Sequence, residues 1–206
     1  MINKEQYQDK KLIAFDLYGT CIDHPSKNIG MPLELKNIVM TQPITLKEIE
    51  EKWKDFWDNF RISDTIEQIK KDISWTFLFP ETLETLKYIK SRWYQTAVVS
   101  NLSKDYAEPL HKLIPEWNFD YETLSFDVWA TKPDPQIYEY LKSLSWIDFK
   151  DIIMIWDSLK SDVIWSHNVW ISPIHLNRNE KWIKEVHKKW IDFIQISTLA
   201  DLKEIL

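Results

Sequence analysis

Glycine is almost missing from this chain. Its 206 residues contain two, Gly19 and Gly30, against about 7% in an average soluble protein. A chain so poor in glycine lacks the usual residue for left-handed turns, yet its pattern is full of helix ends that need one. Cysteine is equally scarce: Cys21 stands alone, which excludes an internal disulfide framework and fits a bacterial-type cytoplasmic location. No apolar run approaches the ~18 residues of a membrane span. The polar start MINKEQYQDKK reads as neither a signal peptide nor a membrane segment. A net charge of −6 without a basic stripe argues against a nucleic-acid partner. The five histidines have no metal-ligand spacing, and His24 reads as a turn residue.

In place of glycine the chain carries 12 tryptophans. Trp93 and Trp146 follow the helical patterns TLETLKYIKSR and DPQIYEYLKSLS, at the position past a helix end that usually adopts positive φ. Trp170 ends SDVIWSHNV in the same way. Trp156 directly precedes Asp157, where a bulky side chain is expected to fill the site. Trp53 and Trp57 differ, because they fit the apolar helix face Ile49, Trp53, Phe56, Trp57, Phe60. The pattern predicts that the other ten, Trp75, Trp93, Trp117, Trp129, Trp146, Trp156, Trp165, Trp170, Trp182 and Trp190, are glycines in the native protein. An organism that reads UGA as glycine, translated with a code that reads it as tryptophan, would produce this result. Twelve glycines would make about 6% of the chain, near the usual share.

Residues 12–23, LIAFDLYGTCID, form an apolar run that ends in Asp16 and turns at Gly19 and Thr20. Such a run reads as a parallel strand covered on both faces, and ligands bind outside the carboxyl ends of these strands. Taken alone, Asp16 is equally readable as a turn cap. Three later segments add to it. TAVVSN delivers Ser100 and Asn101 to the same sheet edge, TKPDPQIY places Lys132 before a proline and a helix start at Asp134, and DIIMIWDSLKSD ends a third run in Asp157 and continues to Asp162.

The order strand-Asp, strand-Ser, Lys-Pro, strand-Asp with a second Asp resembles the haloacid dehalogenase superfamily of hydrolases over nearly the whole chain. The resemblance implies that Asp16 is a nucleophile forming a covalent aspartyl intermediate. It implies that Thr20, Ser100 and Lys132 hold phosphoryl oxygens, with Asn101 beside them. Mg²⁺ would be held by Asp16, Asp157 and the backbone carbonyl of Tyr18, and Asp162 would orient Lys132 or the metal's waters. These residue types suit the chemistry, since a carboxylate attacking an anion needs positive charge to screen it.

Tyr18 stands where the family's phosphatases usually carry a second Asp as general acid. The Asp-x-Tyr-Gly-Thr pattern is similar to the 2-haloacid dehalogenases, whose halide leaves without protonation. Two features favour phosphate: the acidic pair Asp157 and Asp162 is retained, and no Arg precedes Arg61, whereas the dehalogenases use an Arg near the cap entrance. The expected function is a Mg²⁺-dependent phosphatase acting on a small phosphorylated metabolite. A dehalogenase and a non-catalytic binder are the alternatives. Aryl or acyl phosphates should turn over faster than alkyl phosphates, because a missing acid costs typically 10²–10⁴-fold where protonation matters.

Alternating helical and strand patterns after Pro80 predict an α/β, Rossmann-like, doubly wound parallel sheet. The core is expected over 1–23 and 79–206, with a small helical cap over 24–78. Within the cap, a capping box at Thr45 and Glu48 starts a helix running to about Phe60, and a second spans 63–73. Beyond it the pattern reads helix 81–92, strand 95–100, helix 104–113, a strand near 121–128, helix 134–145, strand 152–156, helix 160–169, strands 171–176 and 193–196, and a terminal helix.

Overall fold

The structure, a computed structural model, describes residue 7 and residues 9–23, 31–52, 62–158, 170–178 and 193–206. Six strands form one parallel sheet: β1 (Leu12–Phe15), β4 (Gln95–Ser100), β5 (Tyr121–Leu124), β6 (Ile152–Trp156), β7 (Ser172–Leu176) and β8 (Ile194–Ile196). Their order is β5-β4-β1-β6-β7-β8. β1 is central, with Phe15 level with Val98 of β4 and Ile155 of β6. The fold is therefore the expected α/β Rossmann-like one.

The continuous apolar runs are explained by burial on both faces. Ile13, Phe15, Val98, Ile153 and Ile155 join one core cluster, while Leu12, Ala14, Ala97, Val99, Ile152 and Met154 join the other. Alternate residues of a strand point to opposite faces, so a strand with both faces covered cannot alternate in polarity.

Between β1 and β4 the chain leaves the sheet through β2 (Ile22–Asp23) and returns through β3 (Phe77–Leu78), which pair antiparallel. The insert they bracket contains α1 (Leu33–Thr41), α2 (Leu46–Lys52) and α3 (Ile62–Trp75). Leu35, Val39, Leu46, Ile49, Ile62 and Ile69 give it a hydrophobic cluster of its own. The capping box is present: Thr45 N–H donates to Glu48 Oε2 at 2.8 Å, and Glu48 N–H donates to Thr45 Oγ1 at 3.2 Å. α1 has no side-chain cap, since Pro32 occupies the N-cap position, and the sequence carries no start signal for it.

The core then continues with α4 (Thr82–Ser91), a 3₁₀ turn at Lys104–Ala107 leading into α5 (Glu108–Leu113), α6 (Ser125–Val128) and α7 (Pro135–Ser145). Two of the expected elements need correction. The strand expected over 121–128 stops at Leu124, because Ser125 Oγ turns the chain by bonding the backbone of Leu102. The terminal helix is a 3₁₀ helix, Leu199–Glu204, started by a capping box of Thr198 and Asp201. Helix 160–169 lies outside the described residues, as do Trp53, Trp57, Trp165, Trp182 and Trp190. No helix among the described residues is long and apolar enough to cross a membrane.

Backbone conformation bears directly on the tryptophans. Among the described residues, the non-glycine residues in the left-handed region are Trp93, Trp129, Trp146 and Trp170, with φ of 67°, 63°, 57° and 65°. Positive φ is uncommon for any side chain and favours Asn and Asp when it occurs; here every instance is Trp. Trp93 and Trp146 are more than nine-tenths exposed, so their rings gain little packing in return. Trp156 corrects its expectation. It is fully buried against the Leu12 and Met154 face of the sheet instead of filling the site, and its indole N–H has no hydrogen-bond acceptor among the described residues.

Candidate active site

β1 places Asp16 immediately beyond its last residue, and Asp16 N–H still donates to Ile155 O at 2.8 Å, fixing the backbone to β6. The carboxylate is held at both oxygens. Oδ1 accepts from Ser100 Oγ at 2.7 Å and from Leu17 N–H at 2.8 Å, and Oδ2 lies 2.8 Å from Lys132 Nζ. Ser100 ends the neighbouring β4, so parallel pairing alone brings it to Asp16. Lys132 lies between α6 and α7, and its side chain is 2% exposed. Asn101 positions it: Nδ2 donates to Lys132 O at 2.8 Å, and Lys132 N–H donates to Oδ1 at 2.6 Å. Asn101 thus orients the lysine through its backbone.

Thr20 and Lys132 are among the buried polar groups that lack a hydrogen bond to the described residues. Thr20 Oγ1 has no partner, and Lys132 Nζ makes no directed hydrogen bond beyond its charge contact with Asp16. Burying a hydroxyl unpaired costs free energy, and the Thr20 hydroxyl lies four residues after Asp16, in the loop that follows β1.

Asp157 follows β6 and is exposed. Its carboxylate packs against the backbone of Gly19, where a Cβ would come within 2.2 Å of Oδ2, and Gly19 has φ of 76°. Only glycine allows that approach. His175 Nε2 lies 3.3 Å from Asp157 O as donor, and burial holds the His175 imidazole below its ordinary pKa. No group of three or more His, Cys, Asp or Glu suited to a metal occurs among the described residues. Asp16, Asp157 and a backbone carbonyl still fit Mg²⁺, which usually takes one or two carboxylates and keeps its waters. Asp162 lies outside the described residues.

Tyr18 is half-buried, and its hydroxyl donates to Tyr106 O at 3.2 Å. Burial pushes its phenol far above the ordinary value, which makes it a weaker acid still. Cys21 is buried and its thiol is also pushed up by burial, so it supplies no thiolate nucleophile.

Sequence reasoning missed Arg178. It donates to Thr20 O at 2.7 Å, to Gly19 O at 3.3 Å and to Glu81 Oε1 at 2.6 Å, with its guanidinium 3.6 Å above the Phe79 ring. Burial pushes Glu81 up, but the Arg178 hydrogen bond overrides it and leaves the carboxyl below its usual pKa. Arg178 therefore fixes the loop after Asp16 to the segment between β3 and α4. Its place two residues past β7, at the same sheet edge as Asp16, was the available signal.

A half-buried aspartate is thus tied to Ser and Lys at the carboxyl edge of a parallel sheet. The profile of the haloacid dehalogenase-like hydrolases matches residues 13–175, and the chain belongs to that family. A glyceraldehyde 3-phosphate phosphatase from Methanothermobacter thermautotrophicus is 29% identical over 131 residues, covering 62% of this chain and 58% of that relative. Two solved structures share the fold. A predicted phosphoglycolate phosphatase from Haemophilus somnus 129pt has a TM-score of 0.68 at 19% identity, covering 96% of this chain and 98% of that one. A haloacid dehalogenase-family enzyme from Bacteroides thetaiotaomicron, in complex with magnesium and inorganic phosphate, has a TM-score of 0.65 at 20% identity, covering 87% and 99%. The match spans less than two thirds of the phosphatase relative's own length, and family membership rests on the profile.

Proposed function

We propose that the protein is a Mg²⁺-dependent phosphohydrolase of a small phosphorylated metabolite, working through an aspartyl-phosphate on Asp16. The reading is carried by the unpartnered Thr20 hydroxyl and the buried Lys132 ammonium beside the Asp16 carboxylate. A free carboxylate must approach an anion. Two unit charges 4 Å apart repel by about 4 kcal/mol at an effective dielectric near 20, so an uncompensated attack is unfavourable. Lys132 opposes that repulsion while Thr20, or Ser100 once its O–H turns from Asp16, donates to phosphoryl oxygens. An Asp16 oxygen forms the bond to phosphorus as the leaving oxygen departs, and water then hydrolyses the acyl phosphate. Mg²⁺, held by Asp16, Asp157 and the Tyr18 carbonyl, would supply further charge neutralisation. Residues 24–78 act as a cap that selects the substrate. The phosphatase relative supports a small phosphorylated substrate, and the acid-free Tyr18 position favours aryl and acyl phosphates over alkyl ones.

The test is a panel of phosphomonoesters and 2-haloacids, each with Mg²⁺ and with chelator. Phosphate release should require Mg²⁺, falling by at least ~10²-fold in chelator, and aryl esters should lead. Halide release from a 2-haloacid in chelator would establish the dehalogenase instead.

We infer in addition that the ten tryptophans named above are glycines in the native chain, so the activity tests use that glycine form. Four of them occupy every left-handed non-glycine position among the described residues. The gene should carry UGA at all ten and UGG at Trp53 and Trp57. UGG at Trp93, Trp129, Trp146 and Trp170 would end the idea.

A further inference from the structure

We propose that Tyr18 is a positioning residue: its hydroxyl, the Tyr106 residue and the buried Asp72 carboxylate form one tie holding the helical insert against the loops of Asp16 and Ser100. Tyr18 lies two residues after the nucleophile, and Tyr106 six residues after Ser100. The Tyr18 hydroxyl donates to Tyr106 O at 3.2 Å, and the two rings meet edge to face at 5.7 Å. From the other end of the same residue, Tyr106 Oη donates to Asp72 Oδ2 at 2.8 Å. Asp72 belongs to α3 of the insert, is fully buried, and accepts from Gln68 Nε2 at its second oxygen, also at 2.8 Å.

Tyr106 packs against both the main core cluster and the insert's own cluster. Its neighbours reach the insert as well: Leu46 N–H donates to Asp105 Oδ2 at 3.1 Å, and Lys104 Nζ donates to Pro43 O at 3.4 Å. Three consecutive residues downstream of Ser100 thus touch the insert, and the middle of the tie also touches the loop after Asp16. A buried carboxylate needs its lone pairs filled, so the Asp72 pairing favours the docked insert. A phenol committed to the Tyr106 carbonyl is poorly placed to protonate a leaving group. Tyr18 therefore governs where the insert sits, and it leaves leaving-group preference unaltered.

The experiment compares Tyr18→Phe, Tyr106→Phe and the double variant in the glycine form; each substitution keeps the ring and removes one hydroxyl. Amide hydrogen exchange in 33–52 and 62–75 should quicken by ~5–10-fold in either single variant, the scale of one lost hydrogen bond, with β1, β4 and β6 unchanged. The double variant should exchange no faster than the singles, since links in series are non-additive. Asp72→Asn, which keeps an acceptor for Tyr106, should restore near-parent exchange, whereas Asp72→Ala should match Tyr106→Phe. Unchanged exchange in the single variants, or full additivity in the double, overturns the tie. The kinetic arm alone rests on the phosphohydrolase reading. There KM should rise about 3–10-fold for aryl and alkyl phosphates alike, the same lost bond read in binding, with their kcat ratio unchanged. A selective loss of alkyl-phosphate kcat in Tyr18→Phe would make Tyr18 a proton donor and overturn the proposal. If the parent hydrolyses no phosphate, the functional reading fails while the exchange result still decides the tie.

Discussion

Asp16→Asn in the glycine form is expected to abolish turnover of an aryl phosphate, by at least ~10³-fold, the scale on which removal of an attacking residue is felt. Asparagine is nearly isosteric, and its carbonyl oxygen can still accept from Ser100 Oγ and Leu17 N–H, the two donors now on Oδ1. Its amide nitrogen would face Lys132 in place of the carboxylate oxygen 2.8 Å away. Donor would meet cation there, at a cost of roughly 1–3 kcal/mol. The fold should survive this, so circular dichroism should be unchanged and the melting temperature modestly lower. Mass spectrometry of acid-quenched parent should find a phosphoryl group on the peptide containing Asp16 and none on the variant. Turnover at the parent rate in Asp16→Asn would remove Asp16 from the mechanism.

The second large effect is on stability. Glycine at Trp93, Trp129, Trp146 and Trp170 should raise the melting temperature well above that of the chain with tryptophan. A left-handed side-chain-bearing residue costs about 1–2 kcal/mol, and all four positions have φ between 57° and 67°. Glycine returns about 0.4–1 kcal/mol of that through greater freedom in the unfolded chain. The net gain for four sites is about 2–4 kcal/mol, or roughly 5–15 °C for a chain of this length. Thermal melts of the two forms check it. A lower melting temperature for the glycine form would show that the exposed rings stabilise the fold and would count against recoding.

The legible parts of the molecule were those written in local chemistry. LIAF and IIMIW announced doubly covered strands, and the residues just past them, Asp16 and Asp157, fell at the expected edge. Thr45 and Glu48 announced a helix start that the backbone honours. Trp93 and Trp146 could be recognised as left-handed positions because a helix end dictates backbone conformation whatever the side chain. Tertiary partnerships were hidden. Asp72 looks like any charged residue on an amphipathic helix, and only packing shows that Tyr106 and Gln68 bury it. Arg178 acts on Gly19 and Thr20 from more than 150 positions away, a distance no sequence window spans. The early end of β5 at Leu124 likewise depends on Ser125 meeting Leu102.

The route of the insert has an evolutionary consequence. β1 and β4 are direct neighbours in the sheet, yet residues 16–94 separate them along the chain. Folding must already close that long loop before the central strands can pair. The entropic cost of closure grows only logarithmically, so doubling the intervening length adds just ~0.6 kcal/mol. Segments of very different size can therefore be spliced between Asp23 and Phe77 with little penalty to the strands beneath. On the proposed reading of the insert as a substrate-selecting cap, preference is then free to diverge by insertion and deletion while Asp16, Ser100 and Asp157 at the strand ends stay in register.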